Sequence, residues 1–335
     1  MYLVRGELRT AYGIAERLLR RAQSVPDPAL LLLAHYALAP PSFRMGKPLL
    51  AREHLEMAIP LYDRGRHRPL AFRYGGLDAG VICLSYAAWT LWQLGYPDQA
   101  LKMGNEALAL ARGLSHPHSL VFAEYFFDVL RQFRGEVREA QETAESWMAL
   151  CAEHGLTERL PWATSLYGWA IAEQGRNEEG IAQLQEGLAA SRATGAELNR
   201  PYLLCLLAEA CTKSGRLGDG LSALTEALAA ADEHENRHHE AEMHRLKGEL
   251  LLRQADSNVV EAQSCFERAV TIARKQSAKS LELRATMSLA RLLAKQGKRD
   301  ESRTRLAEIY NWFTEGFDTA DLIDAKALLG ELSAV

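Results

Sequence analysis

The stretch GWAIAEQGRNEEGIAQLQEGL, residues 168–188, decides the fold, because Gly168, Gly175, Gly180 and Gly187 interrupt sequence that otherwise favours helix. Glycines at this density suit either a loop that wraps backbone N–H groups around a phosphate or two helices pressed close together. Their register separates the two. Gly95, Gly135, Gly175 and Gly215 stand forty residues apart, Gly6 and Gly46 keep the same interval, and Ser257 and Gly297 continue the series after short insertions. Five residues beyond each marker stands a small residue: Ala11, Ala51, Ala100, Ala140, Gly180, Gly220, Ala262 and Ser302. Self-similarity at a fixed period is the mark of stacked units, each packing on its neighbours.

The segments between markers carry a helical period. In LSALTEALAAA (221–231) the residues Leu221, Leu224 and Leu228 recur at three and four and make one apolar stripe. Pro117, Pro161 and Pro201 stand where a helix would begin, a position that needs no N–H, and each marker glycine falls where that helix would end and turn. Each unit therefore reads as helix, tight turn, helix. Small residues on both helices allow close approach, as in the tetratricopeptide repeat, which AAWTLWQLGYPDQALKMGNEALALA (87–111) resembles with Ala88, Gly95, Ala100 and Ala107 at the small positions.

The expected architecture is all-α: one right-handed tetratricopeptide-like solenoid over 1–335, with second helices starting near 6, 46, 95, 135, 175, 215, 257 and 297. The first unit lacks its leading helix, so residues 6–23 are expected to present a bare apolar face, which suggests a fragment of a longer protein or a homodimer through that helix. Residues 317–333 are expected to close the other end as a capping helix, with Leu322, Ala325, Leu329 and Leu332 as its stripe. Gly168, Gly180 and Gly187 lower helix propensity by up to about 1 kcal/mol each relative to Ala. That unit should be the loosest hairpin.

The chain has 335 residues, is 48% hydrophobic and 24% charged, and carries a formal net charge of -4, which fits a globular protein and argues against a general nucleic-acid binder. Residues 1–75 hold twelve Arg or Lys against six acids, a basic end that suits a solvated face or an acidic neighbour. Cys83, Cys151, Cys205, Cys211 and Cys265 form no CxxC pair, so they read as reduced core residues in a cytoplasmic protein. MYLVRGELRT is charged too early for a signal peptide, and ALLLLAHYALA (29–39) is too short to span a bilayer.

Chemistry is sparse. No GxxxxGK[ST], GxGxxG or GxSxG occurs, and MGKPLL (45–50) and QGKRDES (296–302) lack the upstream glycine of a phosphate loop. In HHEAEMH (238–244), His239 and His244 are five apart and so on different helix faces, unlike a zinc-binding HExxH. The sequence therefore points to no enzyme, no cofactor and no metal.

What remains is surface. Projected from the marker glycines, the leading helices would line a concave groove with Trp89, Trp92, Tyr125, Trp162, Trp169 and Tyr202, followed by Glu209, Arg245, Glu249, Arg284 and Arg291. An aromatic zone followed by a charged zone suits a protein or peptide with apolar and anionic groups. RGRHRPLAFRYGGLDAG (64–80) lengthens one interval and would form an insertion loop near the groove, with Arg68, Arg73, Tyr74 and Asp78.

GYPDQAL (95–101), GWAIAEQG (168–175), TGAELNRPYLLCLLAEA (194–210), RLKGELLL (245–252) and WFTEGFDTADL (312–322) together resemble the C-terminal tetratricopeptide region of large bacterial adenylate/guanylate cyclase-type signalling ATPases. The resemblance covers essentially the whole chain. It implies a non-enzymatic interaction or sensing arm, whose partner is a protein, a peptide or the ATPase and cyclase domains of the same longer chain; small-ligand sensing and self-association are the alternatives. It assigns no ligand residues. Two departures stand out: the family loop YGQDPG is YGGLDAG (74–80) here, and LAPPSFRMGK (38–47) places Pro40 and Pro41 where they should end or kink a leading helix.

Overall fold

The computed structural model describes residues 2–67 and 76–334. Within them the chain forms sixteen α-helices whose bounds are described, besides helical residues 64–67. A lone first helix, α1 (Leu8–Gln23), is followed by seven antiparallel pairs. These are α2 (Pro28–Arg44) with α3 (Pro48–Ala58), α4 (Ala79–Gln93) with α5 (Pro97–Leu114), α6 (Pro117–Arg134) with α7 (Val137–His154), and α8 (Leu160–Glu173) with α9 (Asn177–Ala193). Next come α10 (Arg200–Lys213) with α11 (Leu217–Glu233), α12 (Glu240–Gln254) with α13 (Val259–Lys275), and α14 (Lys279–Lys295) with α15 (Arg299–Tyr310). The last helix, α16 (Ala320–Ser333), closes the array and buries Leu322, Ala325, Leu328 and Leu332, with Leu329 only partly covered. The architecture is a tetratricopeptide-like α-solenoid. Among the described residues no helix is long and apolar enough to cross a membrane.

The marker glycines make the turns. Gly6, Gly46, Gly95, Gly135, Gly175, Gly215 and Gly297 all have left-handed backbone, with φ between 70° and 92° as at Gly46 (73°) and Gly95 (92°). The Ser257 turn is different: a short 3-10 helix, Asp256–Asn258, reverses the chain there. Between units a second left-handed series occurs at Ser115, Gly155, Gly195, Glu235 and Ser277.

First and second helices of a pair differ in how they are buried. Second helices bury one stripe: α11 buries Gly220, Ala223, Leu224, Ala227, Ala230 and Ala231 and exposes the rest in part or whole. First helices are buried nearly all round, as α4 and α10 show, which is the behaviour of helices with apolar residues on every face. The reason lies in the winding. The superhelix is tight enough for successive turns to touch, so where turns overlap the inner face of a first helix meets protein across the lumen.

The contact between turns repeats. The Val4 carbonyl accepts from Glu197 N (3.1 Å) and Leu198 N (3.2 Å), and the Arg44 carbonyl accepts from Arg237 N (2.7 Å) and His238 N (3.1 Å). The Trp92 carbonyl accepts from Ser280 Oγ at 2.5 Å, and the Phe133 carbonyl from Arg284 Nη2 at 2.6 Å. Val4 and Arg44 thereby rest on connections five units further along, Trp92 on the start of α14 five units on, and Phe133 on the side chain of Arg284 within α14, four units on. The start of α1 shares in this, since Arg9 pairs with Glu235 across the turns, although Ile14 remains 39% exposed.

Two expectations fail. Helix α2 continues through Pro40 and Pro41 to Arg44. Both prolines lie in its last turns and are buried, so packing holds a helix in which only two N–H donors are missing, and Ser42 Oγ adds a bond to the Leu38 carbonyl at 2.7 Å. Helices α8 and α9 form no loose hairpin: a Cβ placed on Gly180 would meet the Gly168 carbonyl oxygen at 2.4 Å, and one on Gly187 would meet Ser165 Oγ at 2.2 Å. Backbone contact and the dispersion it brings offset the weak propensity.

Turn glycines of the stacked half carry a second constraint. A Cβ on Gly95 would meet Trp312 at 2.5 Å and Lys279 Cβ at 2.8 Å, whereas one on Gly215 has nothing within 4 Å. Gly215→Ala should therefore cost about 1–2 kcal/mol, the strain of the left-handed backbone alone. Gly95→Ala should cost about 1–3 kcal/mol more by wedging the turns apart. Urea unfolding of the two variants measures the difference; equal midpoints would contradict the stacking.

Candidate ligand cavity

The sequence-derived aromatic zone lies in the core. Trp89 (1% exposed), Trp92 (4%), Tyr125 (2%), Trp162 (8%) and Tyr202 (2%) are buried against other rings of the first helices instead of facing solvent. Trp89 stacks on Phe126 at 3.9 Å and Trp92 on Phe133 at 4.3 Å, while Trp89 Nε1 donates to the Phe126 carbonyl at 2.7 Å. Each ring buried this way contributes on the order of 2 kcal/mol, so these positions hold the superhelix closed instead of lining an open groove. The insertion loop is corrected in part. Asp78 caps α4, accepting from Val81 N (3.1 Å) and the Tyr62 hydroxyl (2.9 Å) while its own N–H donates to Ser119 Oγ (2.9 Å); Arg68, Arg73 and Tyr74 lie outside the described residues.

The remaining projected positions come together. Trp169, Glu209, Arg245, Glu249, Arg284 and Arg291 all line one cavity of about 500 Å³ on the inner side of the C-terminal half. Its walls are the first helices α8, α10, α12 and α14, with Asp321 and Asp324 of α16 at one end and Gln132 and Gly135 of the turn above at the other. The repeat places like positions in register. Trp169, Glu209 and Glu249 are forty apart, as are Glu173, Lys213 and Arg253, so equivalent side chains on adjacent helices touch. Trp169 Nε1 donates to Glu209 Oε2 (3.2 Å), Ser288 Oγ to Glu249 Oε1 (2.6 Å), and Lys213 pairs with Glu173.

Arg245 is the hub. It forms a two-pronged pair with Glu242, Nε to Oε2 at 2.9 Å and Nη2 to Oε1 at 2.6 Å, and reaches Glu209 at 3.9 Å and Glu249 at 3.8 Å. Arg284 bridges Asp321 (2.7 Å) and Glu242 (3.9 Å) and lies over the Trp92 ring at 5.0 Å. Six carboxylates and five cationic side chains line the space, so one carboxylate charge is in excess.

That excess is felt at Glu209. Burial, reinforced by the carboxylates of Glu242 and Glu173 and opposed by Arg245 and Arg284, pushes it up to about 7. Glu242 goes the other way: burial would raise it, but the charge and hydrogen bonds of Arg245, with Arg284 and His239, hold it down to about 2. Burial also raises Asp321, against the pull of Arg284. At the mouth, exposed Arg291 and Asp324 have no ion pair among the described residues. Glu242, Lys213, Glu173, Ser288 and Asp321 are cavity residues that the groove projection missed; the forty-residue spacing of Glu173, Lys213 and Arg253 was a signal for part of them.

No protein-family profile matches the chain. An uncharacterized protein of Rhizobium meliloti is 23% identical over 266 residues, which are 79% of this chain and 26% of that relative, so the chain spans about a quarter of its length. Among solved structures, the chain is similar to Rap protein complexed with competence and sporulation factor, with a TM-score of 0.63, 15% identity and coverage of 94% of this chain and 80% of that one. It is also similar to the Cut9–Hcn1 hetero-tetramer of APC/C (TM-score 0.54, 12% identity, 99% and 54% covered). A third is aspartyl phosphate phosphatase F from Bacillus subtilis (TM-score 0.52, 9% identity, 84% and 71% covered). At these identities the likeness shows the fold.

The raised Glu209 has a measurable sign. Its folded form keeps a proton that the unfolded chain releases near the ordinary carboxylate value of 4.5, so its contribution to stability declines as pH rises from about 4.5 to about 7 and is constant above that. Glu209→Gln should match the parent near pH 4.5 and exceed it by roughly 2–3 kcal/mol at pH 8. Denaturant titrations at both pH values check this; a stability gap that does not widen with pH would refute the assignment.

Proposed function

We propose that this chain is a non-enzymatic recognition arm that binds a short peptide, or an extended segment of a partner protein, in the cavity between α8, α10, α12, α14 and α16. We further propose that it serves as the regulatory arm of a longer bacterial signalling protein of the ATPase or cyclase type. One observation carries the reading: a mixed-charge wall built by consecutive first helices, with Arg291 and Asp324 at its mouth without an ion pair among the described residues and one carboxylate in excess inside. Such a wall suits a ligand that carries both signs of charge, each finding a counter-group at a defined distance along the repeat.

Three points support this. The similar Rap protein was solved with competence and sporulation factor bound, so a solenoid of this form can hold a ligand. The chain corresponds to a quarter of the matching Rhizobium meliloti relative, which fits an arm of a larger protein. The sequence motifs at 168–175, 194–210 and 245–252 resemble the repeat region of signalling ATPases. The cavity volume of about 500 Å³ also suits a small zwitterionic molecule, which is the second reading.

Panning a random heptapeptide library against the immobilised chain tests the proposal. The expected result is enrichment of peptides bearing both a basic and an acidic residue, with capture reduced tenfold or more by Arg291→Glu and by Glu249→Gln. Peptides captured equally by the parent and both variants would overturn the cavity as the site. Absence of any enriched peptide would leave the second reading, then testable with amino-acid-sized zwitterions by calorimetry.

A further inference from the structure

A second helix has one face that its own first helix covers, and α1 shows that face partly bare. In the pair α8 and α9 the contact runs through Gly180 and Gly187, five and twelve residues past the turn glycine Gly175, where a Cβ would meet Gly168 and Ser165 of α8. The same places are buried in α5 as Ala100 and Ala107 and in α11 as Gly220 and Ala227. Past Gly6 they are Ala11 and Leu18, and both are only half-buried, with Ile14 between them 39% exposed. What α1 does bury, Leu8, Ala15 and Ala22, is the stripe beside this one. In α5 the counterpart of Ala15 is Gly104, which packs on Phe127 of the next first helix, so the buried stripe of α1 is the one that packs on α2.

The bare stripe has a charged border. Arg17 and Arg21 stand one turn apart beside Ile14 and Leu18, both are exposed, and neither has an ion pair among the described residues. Of the two acids on or beside α1, Glu16 lies on the opposite side of the helix and Glu7 precedes its first turn. Eleven residues past the turn glycine, where α1 has Arg17, the helices α5, α9 and α11 have Glu106, Glu186 and Glu226. Glu226 shows what this place meets: it accepts from Arg200, the first residue of α10, through Nε at 3.2 Å and Nη2 at 2.9 Å. Arg17 presents the opposite sign to a helix laid in the same way.

Such a helix would cover Ile14 and Leu18 and give the arginines a counter-charge. We propose that this face of α1 is a docking site for an amphipathic helix of a partner protein, lying antiparallel to α1 as a first helix does and carrying a carboxylate in its first turn to meet Arg17 or Arg21. An acid at that position also suits the partner helix's own dipole. A second copy of α1 is a poorer occupant, because it sets the same arginines against each other. The site lies outside the charged cavity and does not depend on the function proposed for it.

The test is fluorescence anisotropy of the full chain with two labelled peptides of about 18 residues, long enough to fold on the surface. Both are amphipathic helices of alanine and leucine that differ only in bearing glutamates or lysines in the first turn. The glutamate peptide should bind at least about tenfold more tightly than its lysine twin. The double variant Arg17→Glu, Arg21→Glu, at exposed positions that leave the core intact, should reverse that order, which a loss of folding cannot do. Ile14→Asp should weaken binding of the glutamate peptide tenfold or more. No binding of either peptide, or equal affinity for the two, would overturn the site. So would a dimer of the parent chain in sedimentation equilibrium that Ile14→Asp disperses, which would give the face to a second copy.

Discussion

The structure depends on a carbonyl contact between superhelical turns. At Val4, Arg44, Trp92 and Phe133 the chain is ending a first helix or entering the tight turn beyond it, and a free carbonyl is available there because helix ends leave such groups without internal partners. In an open solenoid water would take them. Here donors from connections or from α14, four to five units on, take them instead, and the left-handed glycines beside them admit that close approach because they carry no Cβ. The later turn glycines, Gly175, Gly215 and Gly297, have open space around them because no turn stacks on them.

Closure of the turns divides the lumen by chemistry. Where the turns overlap, first helices face first helices and the interior fills with rings: Trp89, Phe126, Phe133, Tyr202 and His239. Past the last overlap the inner face of α10, α12 and α14 is uncovered, and there the sequence changes to Glu, Arg and Ser. The boundary is the pair Tyr202 and Gln132, whose side chains bond at 3.1 Å between the aromatic lumen and the charged cavity. A buried carboxylate such as Glu242 is tolerated at this boundary because Arg245 and Arg284 both reach it.

The solenoid was legible because its signals are local. A turn needs a positive φ, a helix contact needs a small residue, and both recur at fixed spacing, so Gly95 and Ala100 or Gly175 and Gly180 could be placed from the sequence. Winding was not legible. Whether Trp89 meets solvent or Phe133 depends on the rotation between units summed over five of them, and no residue within one unit encodes that sum. Glu209, Arg245, Glu249, Arg284 and Arg291 line one cavity because they lie beyond the overlap, where a projected inner face and an uncovered one coincide. Pro40 and Pro41 misled for a related reason: local rules give the intrinsic cost of a proline, while the burial that outweighs it is a property of the wound array.

Arg284 joins the two halves of this arrangement. One guanidinium donates to the Phe133 carbonyl at the turn contact, pairs with Asp321 of α16 and reaches Glu242 in the cavity wall. A ligand carboxylate bound as proposed would compete for the same donors, and each donor it took would be withdrawn from Phe133 or from Asp321. Withdrawal from Phe133 would loosen a contact between turns, and withdrawal from Asp321 the capping helix. Occupancy of the proposed site would therefore be linked to winding, by an amount bounded by the free energy of the hydrogen bonds exchanged, about 1.5–3 kcal/mol for each bond to a charged group.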